Sequence, residues 1–112
     1  ALNALGYTLI DQTERIQEGF DYIRKAYERS PNDAAIIDSM GWAHYRLGNH
    51  QEALKYLREA FNKLNDAEIA AHLGEVLWVT GSHDEAQKIW EDALRQTPEH
   101  KTLLDVIERF TE

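Results

Sequence analysis

Three glycines, Gly6, Gly41 and Gly74, return 35 and 33 residues apart in matching company. They stand in the segments LGYTLI from Leu5, MGWAHY from Met40 and LGEVLW from Leu73. The segments that follow align as well: GFDYIRKA (Gly19 to Ala26), ALKYLREA (Ala53 to Ala60) and AQKIWEDA (Ala86 to Ala93). A chain made of copies of one short unit folds by stacking them, because no single unit can bury its apolar face alone. That constraint narrows the fold before composition is considered.

Within each copy a stripe recurs at helical spacing: Leu2, Leu5 and Leu9; Ile37, Met40 and His44; Ala70, Leu73 and Leu77. A glycine inside a helix costs about 1 kcal/mol relative to alanine. Its return beside every stripe therefore points to a close approach by a second helix, received there by the small residues Gly19, Ala53 and Ala86. Gly48 and Gly81 sit where first helices should end. Asn49 and Ser82 are expected to cap the helices that follow, with Glu52, Asp84 and Glu85 in their first turns. Pro31 and Pro98 mark the stop of a second helix or the start of the next. The spacing predicts seven helices, over about 2–12, 16–29, 33–47, 50–63, 66–80, 83–96 and 99–110. The last, EHKTLLDVIERF, carries Leu103, Leu104, Ile107 and Phe110, has Glu108 at the glycine position, and reads as a helix that caps the stack.

The pattern resembles the tetratricopeptide repeat (TPR), a helix–turn–helix unit of about 34 residues with the signature W-x2-L-G-x2-Y…A-x3-F…P. The third copy matches with Ala70, Leu73, Gly74, Leu77, Ala86, Trp90 and Pro98. The second has Ile37, Met40, Gly41, His44, Ala53 and Leu57, but Asn65 in place of the proline. The first has Leu2, Leu5, Gly6, Leu9, Gly19, Ile23 and Pro31, with an extra residue in the turn around Thr13 to Arg15. The resemblance implies an all-α TPR α-solenoid of three repeats, about 1–32, 33–65 and 66–98, plus a C-terminal capping helix over 99–112. LGYTLID, DSMGWAHYRLG, EIAAHLGEVLW and LLDVIERF are also similar to the C-terminal repeats of long proteobacterial TPR proteins, several of them cell-envelope lipoproteins. That similarity implies the bacterial periplasm, with the parent protein anchored to the outer membrane. No residue here carries such a signal, and a chain starting inside a helical pattern reads as part of a longer protein.

The formal net charge of −8 has the wrong sign for a phosphate-neutralising surface, so nucleic acid is not an expected partner. There is no cysteine, which excludes disulfides and thiolate metal sites. No apolar run is long enough to insert into a membrane. No phosphate loop, HExxH motif or cysteine nucleophile is present, so neither catalysis nor a cofactor is expected. Glu68, His72 and Glu75 share a helical face and are of metal-ligand types, but read as a solvated polar face. His44, on the stripe itself, reads as a half-buried histidine with a hydrogen-bonded ring nitrogen.

Stacked helix pairs place their first helices along a concave groove, the surface such arrays use for partners. The candidate partner-binding residues flanking the stripe are Asn3, Tyr7, Asp38, Trp42, Tyr45, Arg46, Glu75 and Trp78. Aromatic residues with arginine are the composition of interface hot spots. Trp42 and Tyr7 are expected to point furthest into the groove. Tyr45 and Trp78, with Ile10, lie nearest the stripe, where packing between first helices and partner contact are both open. TPR domains that grip chaperone tails resemble one another in a clamp of lysines and asparagines, of which at most Asn3 and Arg46 fit here. The expected function is a non-catalytic scaffold or adaptor for a protein or peptide with apolar anchors and some basic character. The alternative is a structural end-cap, or a self-association segment, of a longer solenoid.

Overall fold

A computed structural model describes residues 2–12 and 15–111. The described residues form seven α-helices and no strand: α1 (Leu2–Gln12), α2 (Ile16–Arg29), α3 (Ala34–Arg46), α4 (His50–Lys63), α5 (Ala67–Val79), α6 (His83–Gln96) and α7 (Lys101–Thr111). In the turn with the expected extra residue, Thr13 and Glu14 lie outside the described residues.

The helix ends follow local chemistry. Asp33 accepts from the Ala35 and Ile36 amides (2.9 and 3.3 Å), and Asp66 from those of Glu68 and Ile69 (3.0 and 3.2 Å), which starts α3 and α5. Gly48 (φ +86°) and Gly81 (φ +98°) close the same two helices. The Asn49 amide reaches back to the His44 carbonyl and the Ser82 amide to that of Leu77, both at 2.8 Å. Asn49 and Ser82 do stand at the starts of α4 and α6, but their side chains make no cap bond. The turn explains this. The bond back across the glycine holds them at ψ 71° and 62°, short of the extended ψ of 116° and 142° at Asp33 and Asp66, and turns their side chains from the first amides.

The pairs α1–α2, α3–α4 and α5–α6 pack as helix hairpins; α2 then packs on α3, and α4 on α5. The helices α1, α3, α5 and α7 touch in succession and form one wall of the stack. The hairpins depend on bare backbone. A Cβ on Gly6 would lie 2.6 Å from the Gly19 carbonyl oxygen, so α1 and α2 meet backbone to backbone. In α5–α6 the exchange is different, with the indole edge of Trp90 lying against Gly74 where a Cβ would come within 2.0 Å of Nε1.

Leu57, Leu73, Leu77, Trp90 and Leu103 belong to one core across α4 to α7. Ile10, Ile23, Met40 and Ala43 belong to another across α1 to α3. In α7 the register differs from the expected one. Leu103 and Val106 are buried and Leu104 is exposed. Ile107, not Glu108, therefore takes the glycine position, 33 residues after Gly74. Its side chain packs on the core and occupies the surface that glycine leaves bare in the other first helices.

The opposed effects at Gly74 give a test. Alanine would gain about 1 kcal/mol of helix propensity, but overpacking a rigid indole costs about 1–3 kcal/mol. Gly74→Ala is expected to be net destabilising, read as a lowered urea midpoint; an unchanged or raised midpoint would show that Trp90 can move aside.

Candidate functional site

The wall made by α1, α3, α5 and α7 carries a polar network around His72. The His72 Nδ1–H faces both oxygens of Asp38 on α3 (2.9 and 3.0 Å), and Nε2 meets the Tyr7 hydroxyl of α1 at 2.9 Å. One imidazole on α5 thus ties three first helices together. The Trp42 indole stacks on it at 4.3 Å and donates through Nε1 to Asp11 (3.3 Å). Beside it the Tyr45 hydroxyl donates to one oxygen of Glu75 (2.9 Å), and Arg109 of α7 donates to the other (3.0 Å). Arg46 donates to the carbonyls of Ile10 and Asp11, the last turn of α1, where a cation complements the helix terminus.

These contacts perturb the titrating groups in definite directions. Burial pulls the His72 pKa down, but the Asp38 carboxylate bonded to it, with Glu68 and Glu75 beyond, outweighs that and leaves it raised. Burial and the carboxylates of Asp11, Glu68, Asp38 and Glu75 push the Tyr7 phenol well above its usual range. Burial and Glu75 do the same for Tyr45. Both phenols stay protonated and serve as hydrogen-bonding groups. His44 is half-buried, with Nδ1 3.3 Å from the Asn49 amide and its ring stacked on Tyr56. Burial lowers its pKa.

Tyr7, Asp38, Trp42, Tyr45 and Glu75 are brought together, with Arg46 at the edge of the group. Asn3 is not; it faces Ala26, Arg29 and Ile36, away from this network. Trp78 stacks on His83 at 3.9 Å and lies near Trp90 and Phe110, so it packs α5 against α6 and α7. Trp42 does not project into open space but is only 7% exposed. Asp38, His72 and Glu75 are buried too, so this face of α5 is a closed network, not the expected solvated one. The cause is the neighbouring first helices. The stack brings α1 close enough for Tyr7 to reach α5, which covers what a single helix would present to water. Sequence reasoning passed over Arg109, and placed Asp11, Glu68 and His72 beside the groove without counting them among the candidate partner-binding residues. A usable signal was present, since Asp38–His72 and Glu75–Arg109 are complementary pairs with the same separation of 34 residues.

Above the network lies a cleft of about 120 Å³, walled by Tyr7 and Asp11 on one side and by Thr102, Val106 and Arg109 on the other. Glu68 stands at its lip, partly exposed and 3.6 Å from His100. A larger depression of about 380 Å³ lies among Phe61, Ile89 and Asp92 on the outer helices. Its charged groups Asp92 and Arg95 pair with each other in solvent, which leaves little to orient a ligand. Among the described residues no three His, Cys, Asp or Glu side chains converge as metal ligands, and no helix is long and apolar enough to cross a membrane.

The family model described as tetratricopeptide repeat matches residues 39–101. The chain belongs to the tetratricopeptide repeat family. Its TPR segment is 53% identical over 73 residues to a TPR repeat-containing protein of Pseudomonas aeruginosa, covering 65% of this chain and 12% of that protein. It thus spans about an eighth of that relative's length. A thermophilic TPR protein of Thermus thermophilus superposes over 98% of this chain and 60% of its own, with a TM-score of 0.79 and 24% identity, which shows the shared fold. The TPR fold generally mediates protein–protein interaction, and its members are generally non-catalytic scaffolds.

The His72 bridge makes a signed prediction. A raised pKa in the folded state stabilises fully below the ordinary histidine value of 6.5, and that share is lost as pH rises through the raised value. The stability gap between wild type and His72→Gln, measured by urea unfolding, should be wide near pH 6 and narrow near pH 9. A gap that is constant or widens with pH would contradict the bridge.

Proposed function

We propose that the cleft and the groove around it bind a segment of a partner protein, an extended peptide with apolar anchors and basic side chains. The observation that carries this reading is the cleft itself, which the Asp11 and Glu68 carboxylates line together with the rings of Tyr7 and Trp42. Part-buried hydrogen bonds hold those rings in place beforehand, which lowers the ordering cost of binding. A net charge of −8 favours encounter with cationic segments. In this reading the hairpins α1–α2, α3–α4 and α5–α6 are the three repeats, over about 1–32, 33–65 and 66–98, and α7 is the cap. The revised contact set is Tyr7, Asp11, Trp42, Glu68, Glu75 and Arg109; Asn3 and Trp78 leave it, and Asp38, Tyr45 and Arg46 become supports of the network. A periplasmic parent anchored to the outer membrane is part of the proposal, supported by the wording of LGYTLID and DSMGWAHYRLG alone.

Trp42 is core as well as cleft, so alanine there would confound folding with binding. Exposed charges make the cleaner test. Asp11→Lys combined with Glu68→Lys, checked for unchanged helicity, should weaken capture of partners from the native organism by about tenfold or more. If the folded variant retains every partner, the groove reading fails.

A second reading has its own observation. Leu5 is 47% exposed, whereas Met40 and Leu73, at the same place in later copies, are 4% and 2% exposed. Met40 packs with Ile10 and Ile23 of the preceding hairpin, and Leu5 has no such cover among the described residues. The outer face of α1 therefore suits a further repeat or a second copy. Sedimentation of wild type and Leu5→Glu should show concentration-dependent association in the first and less in the second; identical behaviour would remove this face as an association surface.

A further inference from the structure

The two buried carboxylates of the network are neutralised from different places. Asp38 is answered from inside, by His72. Glu75, whose side chain is 9% exposed, is answered from the rim by Arg109, whose side chain is 59% exposed. Arg109 stands in the last turn of α7, next to the cleft that Tyr7, Asp11 and Glu68 border. Its guanidinium already makes the contact that a cationic ligand of this cleft would make. A buried carboxylate needs a cation, but it does not matter to the carboxylate which chain supplies it. A half-solvated arginine gives up little when it returns to water.

We infer that Arg109 is an internal stand-in for an arginine of the partner: the incoming guanidinium enters the cleft, displaces Arg109 and takes over the ion pair with Glu75. This rests on the groove reading above and names the side chain the groove selects. A guanidinium suits the site because it can pair with carboxylate oxygens while lying against an aromatic ring, here that of Tyr7. Glu75 presents one oxygen to the exchange, since Tyr45 holds the other in place throughout. Asp11 and Glu68 at the lip attract the entering cation, while His72 and Arg46 stay engaged with Asp38 and with the end of α1. While Arg109 occupies Glu75, the affinity of a guanidinium ligand that needs that carboxylate is scaled down by the fraction of molecules in which Glu75 is free. The contact is a modest built-in inhibition that only a ligand able to replace the charge at Glu75 has to overcome.

The probe is a fluorescein-labelled nonapeptide of alternating arginine and leucine, with a second peptide in which citrulline replaces arginine as the neutral match. Binding is followed by polarisation on the full chain. The arginine peptide should bind wild type and should bind Arg109→Gln about threefold to tenfold more tightly, the gain expected when a competing occupant is removed. Arg109→Lys should fall between the two. The gain should vanish when Glu75→Gln is added, because that change keeps the Tyr45 bond and removes the charge being contested. The citrulline peptide should show no gain. The inference is overturned if the arginine peptide binds neither protein, if Arg109→Gln binds no more tightly, or if the gain survives Glu75→Gln and so reflects only the loss of a nearby positive charge. A second measurement needs no variant: the Arg109 Nε–H resonance of wild type should shift with the arginine peptide and stay still with citrulline, and a resonance indifferent to both overturns the displacement. Capture lost in the Asp11→Lys, Glu68→Lys protein with no Arg109 effect would remove this inference and leave the groove reading standing. Capture retained by that protein would remove both.

Discussion

A bare glycine at each hairpin crossing is the contact on which the rest of this protein is built. Gly6 and Gly19 approach so closely that neither has room for a Cβ. Gly74 makes the equivalent room for an indole. Close crossings fix how each first helix lies on its second helix, and hence which edge of the first helix remains free to meet the next hairpin. The free edges of α1, α3, α5 and α7 then line up as one wall. Ile107 shows the same rule from the other side, since a side chain at the glycine position fills the space that a crossing needs.

Polar contacts that reach across copies hold the same wall together. His72 joins Asp38 of the neighbouring first helix and Tyr7 of the one beyond. Burying an acid, an imidazole and a phenol is favourable only when each has its partner, so the network tolerates little change in the spacing of α1, α3 and α5. Trp42 is trapped between them, stacked on His72. The same contacts that join the first helices therefore line the cleft and preset its rings. Glu75, Tyr45 and Arg109 extend the arrangement to α7, where a charge pair lies partly open to water.

The fold was legible because its determinants are local and repeated. Asp33 and Asp66 at helix starts, Gly48 and Gly81 at helix ends, and the stripes at Leu73 and Leu77 can each be read from a few neighbouring residues. The candidate site was legible only in part. Tyr7, Asp38, Trp42, Tyr45 and Glu75 do converge, as a helical wheel suggests, but the wheel describes one helix in water. It could not show that Trp42 would be covered, that Asn3 would face α2, or that Trp78 would be held by His83 and Phe110. Asn49 and Ser82 are a smaller instance of the same limit: cap residues in type, they are turned away by the glycine turn before them.

The sequence by itself determined the helices, their pairing into hairpins and the direction in which copies stack, because periodicity and small residues act at short range along the chain. Tertiary structure alone decided which polar residues became a network and which stayed in solvent. Those outcomes depend on distances between helices about one repeat apart, such as Asp38 to His72 and Glu75 to Arg109, each 34 residues removed. A carboxylate and an imidazole read the same in a sequence whether they end in water or in each other. Only the closing of α1, α3, α5 and α7 around them, with the loss of water that follows, made them one network.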